Sequence, residues 1–146
     1  MVEKGKPAPD FELESDSGER VTLSSFRGRP VVLYFYPKSD TPGCTRQACG
    51  IRDAYGEFER RGAVVLGISS DRQARQAKFK AKYELPFTIL ADPEREAGEA
   101  YGVAKPDGGG FERSTFVIDA EGVVARIMRR VNPDQHAQQV LEALPT

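Results

Sequence analysis

The stretch Val31-Val32-Leu33-Tyr34-Phe35-Tyr36-Pro37-Lys38-Ser39-Asp40-Thr41-Pro42-Gly43-Cys44 decides the fold. Its first six residues are β-formers without a polar interruption, the pattern of a central strand buried on both faces of a sheet. Residues 37–40 make a loop. Thr41 is a good N-cap and Pro42 suits the first helical position, so a helix begins there and Cys44 falls in its first turn. That helix is expected to run to about Arg61. It is followed by a second buried strand at 63–69 and a charged helix from about Arg72 to Tyr83, which is βαβ alternation.

Upstream, Phe11 and Leu13 are separated from Val21 and Leu23 by the turn-forming run Ser15-Asp16-Ser17-Gly18, so an N-terminal β-hairpin is expected. Downstream come a short strand at 87–90, a short helix from Pro93 to Tyr101 and a glycine-rich loop at 105–110. Segments 114–119 and 123–131 are β-rich and separated by Ala120-Glu121-Gly122, a second hairpin. Asn132-Pro133-Asp134 opens a final amphipathic helix with Ala137, Val140, Leu141 and Leu144 on one side. The whole reads as α/β: residues 1–146 as a single domain, a mixed sheet flanked by helices.

The chain has 146 residues, with 21 Lys plus Arg against 22 Asp plus Glu, so its net charge of -1 gives no field that favours nucleic acid or an anionic membrane. No apolar run approaches the roughly 18 residues of a spanning helix, and the N-terminal MVEKGKPAPDF lacks a signal-like apolar stretch. A cytoplasmic protein is expected. Cys44, Cys49 and His136 are its only cysteines and histidine, which concentrates the chemistry on two thiols.

At about 100° per residue, Ala48, Ile51, Tyr55 and Phe58 share the side of the helix that carries Cys44, whereas Cys49 lies about 140° round, among charged residues. Cys44 should point inward and Cys49 outward or at the edge of solvent. A buried free cysteine is often a small hydrophobe. In a first helical turn, however, unpaired backbone N–H groups and the positive end of the helix dipole favour a thiolate. Cys49 is either an incidental surface cysteine or one half of a working pair. Zinc is disfavoured, since two diverging thiols and one distant histidine supply at most three soft ligands. The C-x4-C spacing also differs from the C-x-x-C of a thioredoxin-type dithiol.

The segment from Tyr34 to Thr45, with Cys49 following, resembles the active-site stretch of peroxiredoxins of the bacterioferritin comigratory protein (PrxQ) subfamily. Gly5-Lys6-Pro7-Ala8-Pro9-Asp10-Phe11, Arg113-Ser114-Thr115-Phe116-Val117-Ile118-Asp119 and the closing helix with His136 are similar as well, so the resemblance covers nearly the whole chain. Ser39 departs from the pattern, standing where an acidic residue is frequent. The resemblance implies a thioredoxin-like fold and peroxidase activity on hydrogen peroxide and organic hydroperoxides, with re-reduction by thioredoxin or a similar dithiol protein. It implies no metal, haem or flavin, and a monomer is expected because members of the subfamily are often monomeric. Cys44 would be the peroxidatic nucleophile and Cys49 the resolving thiol, with Pro37, Thr41 and Arg113 surrounding the first. His136 is expected on the polar face of its helix, without a catalytic role, and Arg46 and Arg129 on solvated faces.

Physical chemistry constrains these roles. An ordinary thiol is roughly 3% ionised at pH 7, so full deprotonation raises a rate by only about thirtyfold. The rest must come from donors fixed where charge develops as the O–O bond breaks. Arg113, the Thr41 hydroxyl and the Gly43 and Cys44 N–H groups are the candidates, and Pro37 would shield the pocket without adding a competing donor. Residues five apart in a regular helix have Cα atoms about 8.7 Å apart. A disulfide tolerates at most about 7 Å. Joining Cys44 to Cys49 therefore requires unwinding, and Gly50 weakens the helix there by about 1 kcal/mol relative to Ala. Close packing against the sheet is the alternative reason for that glycine. A disulfide oxidoreductase without peroxide chemistry and a binding domain with a structural Cys44 are the competing functional classes.

Overall fold

A computed structural model describes residues 2–144. In chain order they form strands β1 (Glu12–Ser15) and β2 (Arg20–Thr22), a 3-10 turn (Leu23–Phe26), β3 (Val31–Phe35), helices α1 (Pro42–Asp53) and α2 (Tyr55–Arg60), β4 (Val64–Ser69), α3 (Gln73–Tyr83), β5 (Thr88–Ala91), α4 (Glu96–Ala100), β6 (Ser114–Ile118), β7 (Val124–Arg129) and α5 (His136–Ala143). The strands make one sheet in the order β2-β1-β5-β4-β3-β6-β7. Strands β3, β4 and β5 run parallel and the other pairings are antiparallel, so the sheet is mixed and carries the expected N-terminal hairpin.

All five residues of β3 are buried, and their alternation supplies both cores. Val31, Leu33 and Phe35 face one side, with Phe11, Tyr101, Phe111 and Phe116. Val32, Tyr34 and, just beyond the strand, Tyr36 face the other, with Cys44, Ala48, Ile51, Phe58 and Val140. Continuous apolarity in the sequence thus reflects helices or loops packed on both sides.

The expected long helix is broken. At Ala54 (φ -100°, ψ 6°) one N–H is shared between the Gly50 and Ile51 carbonyls, each at 3.2 Å, and α2 restarts beyond it with Phe58 completely buried. The last helix begins at His136 and not at 132–134, because Asn132 first closes a turn on Asp134 N–H through its side chain (2.9 Å) and on Gln135 N–H through its carbonyl (3.2 Å). Likewise α4 starts at Glu96. The Asp92 carboxylate accepts from the N–H groups of Glu96 (3.0 Å) and Gly98 (2.9 Å), fixing that start three residues after Pro93.

Candidate active site

Helix α1 starts at the end of the sheet where β3 leaves it, and it presents Pro42, Gly43 and Cys44 as its first three residues. Thr41 occupies the N-cap in extended conformation (φ -94°, ψ 156°), but its hydroxyl donates to the Lys38 carbonyl at 2.7 Å instead of capping the helix. The first-turn N–H groups therefore have no side-chain cap. With its proton so placed, Thr41 offers lone pairs to the site and not the donor expected of it.

Cys44 is 2% exposed and Cys49 half-buried, both as free thiols within the unbroken α1. Arg113 enters from the residue before β6. Its Nη1 donates to Gln47 Oε1 at 2.6 Å, and its Nη2 lies 3.1 Å from where a Cβ on Gly43 would be. The guanidinium thus covers the first turn of α1, and a side chain at position 43 would push against it. Pro37 lies on another side, crossed by the glycine-rich loop so closely that a Cβ at Gly110 would fall 2.3 Å from its carbonyl oxygen. Arg113, Gly43 and Cys44 are brought together at one helix start, with Thr41 and Pro37 in the loop that leads to it.

Gln47 was not anticipated. It is fully buried one helical turn after Cys44 and holds Arg113 in place. The legible signal was an uncharged polar residue at i+3 from a cysteine on an otherwise apolar stripe.

His136 is a correction: it is fully buried, not on a polar face. Its Nε2 lies 2.6 Å from Thr115 Oγ1, and its ring packs on Tyr34 at 5.3 Å between centroids. Burial, aided by the nearby Arg113 charge, pushes its pKa down to about 3, so the imidazole is neutral. Burial also holds the Tyr34 phenol well above its ordinary value. Arg46 pairs with Asp134 at 2.7 Å on the surface, and Arg129 stacks over Phe116 at 5.5 Å. Gly50 meets α5 and not the sheet, and a Cβ there would make ordinary contact with Ala137 at 4.0 Å.

Beneath the loop of residues 37–41 lies a closed polar network. Gln76 Oε1 accepts from the Tyr36 and Ser39 hydroxyls, and its Nε2 donates to Ser69 Oγ (2.9 Å) and the Leu90 carbonyl (2.7 Å). Ser39 N–H donates to Asp71 at 2.7 Å. Ser39, where the sequence departs from the subfamily pattern, is fully buried in this network and does not face the thiol chemistry.

A mixed sheet with a buried thiol in the first turn of a helix, under an arginine, defines a thiol oxidoreductase of thioredoxin-like fold. The AhpC/TSA family pattern matches residues 4–127, and the chain belongs to that family. It is 44% identical to peroxiredoxin Bcp of Bacillus subtilis over 149 residues, covering 98% of this chain and 95% of that one. The crystal structure of peroxidoxin BcpB from Mycobacterium tuberculosis superimposes with a TM-score of 0.91 at 34% identity, covering 98% and 96% of the two chains. The bacterioferritin comigratory protein of Xanthomonas campestris, described for its alkyl peroxide reduction activity, gives a TM-score of 0.87 at 34% identity, covering 91% and 88%. The chain is accordingly a peroxiredoxin, a thiol-dependent peroxidase. Among the described residues no helix is long and apolar enough to cross a membrane.

Proposed function

We propose that Cys44 is the peroxidatic thiol and Cys49 its resolving partner. The observation that carries this reading is the placement of Cys44 at the third position of α1, beneath the Arg113 guanidinium that Gln47 orients. The Cys44 thiolate attacks one peroxide oxygen, the O–O bond breaks, and the products are a sulfenic acid and water or an alcohol. Arg113 and the first-turn N–H groups stabilise negative charge on the departing oxygen, while Thr41 accepts from the peroxide hydroxyl and Pro37 walls off water. Cys49 thiolate then attacks the sulfenic sulfur, and hydroxide leaves as water after protonation.

Because both cysteines lie in α1, that second step is coupled to unwinding of the helix between them. Room for a Cβ at Gly50 supports its role as a weak point in the helix over a role in close packing. The physiological cycle is completed by thioredoxin or a similar dithiol protein, and hydrogen peroxide and organic hydroperoxides are the substrates. One sheet containing every strand supports treating residues 1–146 as a single domain; a cytoplasmic monomer is part of the same proposal.

Cys44→Ser is expected to abolish peroxide consumption, and Cys49→Ser to retain one turnover to a trappable sulfenic acid while losing thioredoxin-supported cycling. Equal loss of the first turnover in both variants contradicts the assignment.

A further inference from the structure

Next to the catalytic loop, the N-terminal part of α3 and Lys38 enclose an open cleft of about 520 Å³. Four cations line it, Lys38, Arg72, Arg75 and Lys78, against one carboxylate, Asp71. The carboxylate is already committed: it accepts from Ser39 N–H at 2.7 Å and Ser69 Oγ at 2.6 Å, and it pairs with Arg75 at 3.2 Å. Lys38, Arg72 and Lys78 are exposed and make no ion pair among the described residues. Elsewhere on α3 the lysines are neutralised, Lys80 by Asp16 at 3.3 Å and Lys82 by Asp40 at 3.0 Å. A chain of net charge -1 thus gathers three exposed, unpaired cations beside its reactive loop.

We propose that this cleft docks an acidic face of the dithiol protein that reduces the Cys44–Cys49 disulfide, a proposal that rests on the two-thiol cycle above. The distances suit it. The Lys38 carbonyl lies 2.7 Å from the Thr41 hydroxyl, and Cys44 follows three residues later, about 4.5 Å along the helix. A standard interface covers about 800 Å² per partner, a disc of about 16 Å radius. A protein whose dithiol reaches the disulfide therefore meets the loop that carries Lys38, one wall of the cleft. Its first thiolate attacks one sulfur to form a mixed disulfide and releases the other as a thiolate, which takes up a proton. Its second thiolate displaces the remaining cysteine, so two electrons and two protons enter this protein and the partner leaves as a disulfide. Cations at the rim of such an encounter act mainly on the association rate, and they do so electrostatically.

The test compares reduction of the oxidised protein by an acidic thioredoxin and by dithiothreitol, for the wild type, R72Q/K78Q and R72E/K78E. At low salt, kcat/KM toward thioredoxin is expected to fall about tenfold in R72E/K78E, with R72Q/K78Q between, and the differences to shrink at about 0.5 M salt. Turnover with dithiothreitol stays at the wild-type rate, which also shows that the variants fold. Equal thioredoxin kinetics in all three proteins overturn the proposal, as does an equal loss with both reductants. Binding of a labelled DNA duplex that is lost in R72E/K78E, with thioredoxin kinetics unaltered, assigns the cleft to nucleic acid instead. If the peroxide-treated wild type holds no Cys44–Cys49 disulfide by peptide mass mapping, the two-thiol cycle fails, and not the docking surface.

Discussion

Tyr34 and Tyr101 are both fully buried, on opposite faces of the sheet, and only one of them is satisfied. On the aromatic face the Tyr101 hydroxyl donates to the Pro9 carbonyl at 2.6 Å, and its ring meets Phe116 at 5.0 Å and Phe35 at 5.4 Å. On the Cys44 face the Tyr34 hydroxyl, Gln47 Nε2 and His136 Nδ1 are buried without a partner among the described residues. A buried polar atom without a bond is costly, and three of them lie on the face that carries both thiols, one within α1 itself. The difference separates a closed scaffold from a working face. In the cycle proposed above, rearranging α1 would disturb the tertiary bonds of Arg46, Gln47 and Arg52, while the bonds and ring contacts of the opposite face lie outside that helix.

The scaffold side should give the largest change in stability. Phe116→Ala removes a ring that contacts Phe35 and Tyr101, and it is expected to cost about 3–5 kcal/mol in denaturant unfolding. Oxidation of Cys44 by peroxide, measured under conditions where the variant is folded, should keep its wild-type rate. A slowed reaction there would break the division between the two faces.

His136 tests the working face. Its folded-state pKa of about 3 lies below the ordinary 6.5, so on acidification the unfolded chain takes up the proton first. Stability contributed by the neutral imidazole is complete above about pH 6.5 and is lost as pH falls toward 3, by about 2.7 kcal/mol at pH 4.5. Subtracting the stability–pH curve of His136→Asn from that of the wild type should expose this slope. Parallel curves would show that the buried imidazole carries no such linkage.

The smallest effect is expected within α1 itself. Gly50→Ala fits, since the nearest atom to the new methyl group is Ala137 Cβ at 4.0 Å, and it should strengthen α1 by about 1 kcal/mol. Formation of the Cys44–Cys49 disulfide after a peroxide pulse should slow by about fivefold, with sulfenic acid formation unchanged. Disulfide formation at or above the wild-type rate would remove helix unwinding from the resolving step.

Local signals were the legible ones. The apolar run of β3, the turn residues of both hairpins and the Thr-Pro start of α1 each act within a few residues, and each marked its element in the sequence. Periodicity also placed Cys44 inward, where it is 2% exposed. What escaped depended on partners distant in the chain. Gln47 is buried because Arg113, 66 residues away, takes its carbonyl oxygen. His136 is buried because Thr115 and Tyr34 receive it, although its position at a helix start between Gln135 and Ala137 suggested exposure. The break at Ala54 escaped because local preference alone would continue the helix, and Phe58 is buried in α2 as it would be in one unbroken helix.

Both ends of α1 are tied to one place. Before it, the Asp40 carboxylate accepts from the Tyr83 hydroxyl at 2.7 Å and from Lys82; near its end, Arg52 donates to the Tyr83 carbonyl at 2.8 Å. A segment that uncoils between such pins gains less freedom than a free chain end, and the distant partners of Gln47 and Arg46, Arg113 and Asp134, lie outside it. Recoiling is then a local helix–coil event, on the order of a microsecond or faster. In the proposed cycle, recovery of the reactive form would therefore wait on the arrival and chemistry of the reductant, and the helix itself would keep no memory of having been undone.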